Sequence, residues 1–143
     1  MVLSEAASFL RIAAADLATA RASTDPTIFR EGAWGFWLQQ AVEKALKAWL
    51  LNFGVVPPTT HDLSRLLLLL KNAGAKVETF AALEQLTDYA VQFRYEADPE
   101  PLGLDRPTWN EAVSELLAHV ETQLLGDEPA DQIFPCEPPS SLG

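Results

Sequence analysis

Residues 32–54 read GAWGFWLQQAVEKALKAWLLNFG, a long segment of helical periodicity that holds three of the four tryptophans. At about 100° per residue, Trp34, Trp37, Leu38, Ala41, Val42, Ala45, Leu46, Ala48, Trp49 and Phe53 sweep a broad apolar arc. Gln39, Gln40, Glu43 and Lys47 fall opposite, with Lys44 at their edge. A surface helix needs only a narrow apolar stripe. An arc this wide predicts a helix buried on two sides, central in a bundle or shared with a second subunit.

The flanking sequence continues the helical theme. Upstream, Ser4 is placed to cap a helix with Glu5 in its first turn. Phe9, Ile12, Ala13, Leu17 and Ala20 recur at helical spacing until Ser23 to Pro26 breaks the pattern. Downstream, Gly54 and Pro57-Pro58 end the central helix. Thr59 or Thr60 then caps a third helix that runs through His61, Asp62, Leu63, Ser64 and Arg65 into five consecutive leucines, Leu66 to Leu70. A helix apolar all round is expected to be enclosed, and Gly74 supplies its stop.

A fourth α-helix is predicted from Thr79 to Arg94 on the stripe Phe80, Leu83, Leu86, Ala90 and Phe93. Pro99, Pro101 and Gly103 mark a loop. Thr108 and Glu111 form a capping box for a fifth helix, whose core stripe is Trp109, Ala112, Val113, Leu116, Val120 and Leu124. No strand pattern or internal repeat is visible, so the expected fold is all-α, an up-and-down antiparallel helical bundle over residues 1–126. Residues 127–143, DEPADQIFPCEPPSSLG, hold four prolines and no periodicity. They read as a disordered, acidic tail.

With 143 residues and 48% apolar content, the chain has enough material for one core. Its net charge of −10 and pI near 4.5 oppose tight binding to a phosphate backbone, so nucleic acid is not an expected partner. The single cysteine, Cys136, excludes an intramolecular disulfide and a cysteine-based zinc site. The N-terminal residues lack a signal-peptide pattern, and the leucine run is too short to cross a bilayer. A cytoplasmic protein without a membrane anchor is therefore expected.

Familiar catalytic signatures are missing. There is no glycine-rich phosphate loop, His-Glu-x-x-His pair or nucleophile elbow, and no residue reads as a metal ligand. Glu43 and Lys47 form an i,i+4 pair that, as a solvated ion pair, contributes about 0.3 kcal/mol. Alternatively, Gln40, Lys44 and Lys47 line a groove and donate to an anionic ligand or a partner's carboxylate. Arg94 offers a forked donor for phosphate or carboxylate, and Tyr89 or Tyr95 a flat surface for a base.

Four blocks in order resemble the HEPN domain, the helical family named for higher eukaryotes and prokaryotes nucleotide-binding. The first is Ala13, Asp16, Leu17 and Ala20. The second is Gln40, Ala41, Glu43, Lys44, Leu46, Lys47 and Ala48. The third is His61, Asp62, Leu63, Leu66 and Leu67. The fourth is Leu86, Thr87 and Tyr89, leading to Arg94 and Tyr95. The resemblance covers about residues 5 to 125.

It implies a bundle of four main helices with a short extra one, often a homodimer. It implies either a partner of a minimal nucleotidyltransferase in a toxin–antitoxin-like module or a metal-independent ribonuclease. The ribonucleases carry an arginine followed four to six residues later by histidine. No arginine here stands at that spacing before His61 or His119. The leading expectation is therefore a non-catalytic, dimeric partner that can take up a nucleotide, ATP or GTP. Its candidate contacts are Gln40, Glu43, Lys44, Lys47, His61, Asp62, Tyr89, Arg94 and Tyr95. The alternatives are an atypical ribonuclease toxin using His61, Arg94 and Tyr95, and a plain interaction module without a ligand.

Overall fold

A computed structural model describes residues 4–90 and 101–126. Among these residues the chain is an all-α bundle: α1 (Glu5–Ala22), α2 (Glu31–Asn52), α3 (Leu63–Asn72), a 3-10 helix (Glu78–Asp88) and α4 (Arg106–Gly126). Helix α2 packs against all four of the others. This explains the wide apolar arc: Trp34, Leu38, Ala41, Val42, Ala45, Leu46, Ala48, Trp49 and Leu50 are all buried within the chain's own core. No second subunit is required to account for its width.

Local chemistry sets the helix ends. Ser4 caps α1 by accepting from the Ala7 amide at 3.0 Å. The cap of α3 is neither threonine proposed from the sequence but Asp62, whose Oδ1 accepts from the Ser64 amide at 3.1 Å. Thr60 instead accepts from the Asp62 amide and shapes the approach to the helix. His61 consequently lies before α3 rather than in it. Asp105, not Thr108, caps α4: its Oδ2 accepts from the Thr108 amide at 3.1 Å and from the Thr108 hydroxyl.

The fourth element departs from the expected α-helix. Residues 78–88 are 3-10 helix, with three residues per turn. The buried residues Phe80, Leu83, Leu86 and Tyr89 recur at strict intervals of three. A 3-10 helix stacks such positions in one line, whereas an α-helix would rotate them progressively off the core. Residues 91–94, into which the α-helix was expected to continue, lie outside the described part, as does the expected disordered tail at 127–143.

The leucine run is not enclosed all round. Leu66, Leu67 and Leu70 are buried, but Leu68 is 56% exposed. Helix α3 therefore has one inner face and one outer face.

A second set of long-range bonds ties the ends of the bundle together. The Trp34 indole donates to Asn110 Oδ1 at 2.8 Å, and Asn110 Nδ2 donates to Thr24 Oγ1 at 2.9 Å. Arg106 lies 5.5 Å from the centre of the Trp34 ring and donates to the carbonyls of Ser23, Thr24 and Phe29. Together they fasten the α1–α2 connection to the start of α4. No helix among the described residues is long and apolar enough to cross a membrane.

Candidate functional site: a polar cluster around Glu43

The supposed polar strip of α2 is largely inside the protein. Gln39 is fully buried and Glu43 only 3% exposed. The reading of Glu43 and Lys47 as a solvated ion pair is thereby corrected. Burying a carboxylate is costly unless charge and hydrogen bonds compensate it, and here both do. Helical spacing brings Gln39 and Lys47 one turn to either side of Glu43. Lys47 Nζ donates to Oε2 at 3.0 Å, and Gln39 Nε2 donates to Oε1 at 3.2 Å.

The remaining partner comes from outside the helix. His61, 18 residues further along the chain, places Nδ1 2.8 Å from Glu43 Oε1. Burial pushes the Glu43 carboxyl towards a higher pKa. The hydrogen bonds from His61, Lys47 and Gln39, with the charge of Lys44, outweigh that effect and hold it below the usual glutamate value. An ionised carboxylate only accepts hydrogen bonds, so the His61 nitrogen facing it is the donor. Gln39 Nε2 also donates to the His61 backbone carbonyl at 3.2 Å. The residue is thus held by both its ring and its main chain.

Gln40 and Lys44 form the outer edge of the cluster. Gln40 Nε2 donates to Gln39 Oε1 at 2.6 Å, and Lys44 Nζ donates to Gln40 Oε1 at 2.8 Å. Lys44 also stands 4.0 Å from Glu43 Oε2. Asp16 on α1 faces this edge: its carboxyl is raised above the usual aspartate value by burial, opposed by the charge of Lys44 and reinforced by that of Glu43. Asp16 belongs to the cluster although only its place in the first family block pointed to it.

The structure thus gathers Gln40, Glu43, Lys44, Lys47 and His61, and adds Gln39 and Asp16. The other sequence candidates stand apart. Asp62 is the exposed α3 cap, and its carboxyl is held below the usual aspartate value first by the Ser64 hydroxyl hydrogen bond.

Tyr89 does not offer a stacking face. It is 2% exposed, edge-on to Trp34 with ring centres 6.1 Å apart, and its hydroxyl donates to Glu31 Oε1 at 2.8 Å. Burial, then the hydrogen bond to Glu31, pushes its phenol pKa up. Glu31 also accepts from the amides of Leu102 and Gly103, a structural role that only its distant partners reveal. Arg94 and Tyr95 lie outside the described residues.

The arrangement combines an oriented imidazole, an ammonium edge and a buried carboxylate. Among the described residues, no group of three or more His, Cys, Asp or Glu is placed to hold a metal ion. A separate groove of about 270 Å³ between the 3-10 helix and α4 is lined by Phe80, Leu83, Trp109 and Ala112, with none of the cluster residues.

The sequence matches the HEPN domain family over residues 6–125. No curated protein and no solved structure shows a significant match.

Proposed function

The chain belongs to the HEPN domain family, and on that premise we propose that it is a non-catalytic, dimeric, cytoplasmic partner of a minimal nucleotidyltransferase in a toxin–antitoxin-like module. In this reading the Lys44 edge of the Glu43 cluster meets a nucleotide or a related anion. The supporting observation is the Lys44–Gln40 pair. The ammonium has three N–H donors, of which Gln40 receives one at 2.8 Å. Lys47 counters the negative charge of Glu43 just behind that edge, and His61 donates a hydrogen bond to the same carboxylate; this reduces the repulsion an incoming phosphate meets. Asp16 opposes the phosphate and limits its affinity.

Two measurements test the reading. A minimal nucleotidyltransferase reading frame is sought beside the gene, and its product, co-expressed with this protein, is expected to form a complex stable through affinity and size-exclusion steps. Calorimetric titration with ATP and GTP is expected to give saturable heats that fall in Lys44→Ala. Separate elution of the two proteins would refute the partner assignment. Saturable binding unchanged by Lys44→Ala would remove the nucleotide from this edge.

A further inference from the structure

The two histidines of this chain live in different surroundings. His119 is packed among aromatic rings, with its centre 5.0 Å from Trp49 and 5.3 Å from Phe80. His61 has a 58% exposed side chain, yet its Nδ1 reaches a carboxylate that is only 3% exposed. Because that carboxylate accepts from Gln39, Lys47 and His61 together, the ring proton resides on Nδ1. The lone pair of the neutral ring is then on Nε2. With Nδ1 drawn inward to Glu43, the opposite nitrogen faces outward.

We propose that His61 Nε2 is a nucleophile that accepts a phosphoryl group from a small donor of the phosphoramidate or acyl phosphate class. The lone pair of Nε2 attacks phosphorus. A P–N or P–O bond to the leaving group breaks as the new N–P bond forms, and the leaving group departs with the bonding pair, as ammonia from N-protonated phosphoramidate or as carboxylate from an acyl phosphate. The Nδ1 proton stays on the ring, so no further reactant is needed.

The ring gains positive charge during the attack, and Glu43 at 2.8 Å is already placed to stabilise it. Lys47 holds the other carboxylate oxygen at 3.0 Å, so Glu43 is retained as an anion. The bond from Gln39 to the His61 carbonyl reduces the freedom that the reaction must otherwise remove. Asp62, next to the ring, is engaged with Ser64. Asp16 interacts through its charge with Lys44 and Glu43.

This inference does not rest on the nucleotidyltransferase reading. The test treats the full chain with potassium phosphoramidate and follows phosphohistidine by phosphorus NMR and peptide mass. The expected result is selective labelling of His61 over His119, faster than labelling of His61 in the urea-unfolded chain. Glu43→Gln, checked for folding by circular dichroism, should slow His61 labelling by about tenfold, because the neutral amide no longer offers a negative charge to the ring as it becomes positive.

A merely structural role for the pair would leave the reactivity of His61 in the folded protein no higher than in the unfolded chain. That result overturns the proposal, as does labelling of His119 at an equal rate or an unchanged rate in folded Glu43→Gln. If Glu43→Gln does not fold, the comparison of folded and unfolded wild type decides the matter.

Discussion

The ring of Tyr89 rests directly on the backbone of Gly35, so that a Cβ at residue 35 would stand 2.5 Å from two of its ring carbons. The close approach lets the 3-10 helix run tight against α2, and Glu31 secures the far end of the same ring through the tyrosine hydroxyl. Gly35→Ala should therefore destabilise the protein, although alanine favours helix. Overpacking costs about 1–3 kcal/mol and opposes a propensity gain of about 1 kcal/mol. Urea denaturation should show a lower midpoint for Gly35→Ala. Combining it with Tyr89→Leu should make the two losses non-additive, because they share one contact.

Trp34→Phe probes the bond that joins α2 to α4. It removes the indole donor and leaves the buried Asn110 Oδ1 without that partner. A loss of about 1–3 kcal/mol is expected for the unsatisfied acceptor. Hydrogen exchange should also accelerate around Thr24, because Asn110 donates to its hydroxyl, which in turn donates to the Arg21 and Ala20 carbonyls. Equal stability of Trp34→Phe and wild type would show that the bond contributes nothing net.

Acid should weaken the fold through Glu43. Burial alone would raise its pKa, but the bonds from His61, Lys47 and Gln39 and the charge of Lys44 bring it below the usual value. Its folded pKa is thus lower than its unfolded one. The resulting stabilisation is complete above the unfolded glutamate value of about 4.3 and is lost as pH falls through the folded value. Unfolding midpoints measured from about pH 6 down to about pH 3 should fall more steeply for wild type than for Glu43→Gln. Parallel slopes would mean that Glu43 is not the group being titrated.

Breaking the cluster outright should be more severe. Glu43→Ala leaves Lys47 and Gln39 without their shared acceptor, and removing one member of a buried ion pair costs about 3–5 kcal/mol. A thermal melt that differs little from wild type would contradict the account of the cluster as a compensated buried charge.

The caps give a smaller and separable effect. Asp62→Ala should cost about 1 kcal/mol, Asp105→Ala should also lower stability, and the two losses should add, because they start different helices. Chemical denaturation of the single and double variants checks both points.

The sequence by itself determined that the protein is helical, roughly where its helical segments lie, and most of the apolar positions that make the core, though Ile12 and Phe53 from the expected stripes are exposed. These are local matters. A 3.6-residue period, a serine before an alanine-rich run and a glycine after a leucine run act over one or two turns. It also brought together most of the α2 residues of the candidate site, since i,i+4 neighbours meet on any helix. Even the 3-10 helix left a trace, in the strict threefold spacing of Phe80, Leu83, Leu86 and Tyr89.

Tertiary structure alone decided which polar groups lie inside. Gln39 and Glu43 looked solvated because their sequence pattern suits an outer face. They are buried because His61 arrives from 18 residues away to complete the set of donors. Tyr89, which looked available, is enclosed because Gly35 and Glu31 meet it from another helix. Whether a polar side chain is buried depends on the partners that offset its lost hydration, and here those partners come from distant parts of the chain.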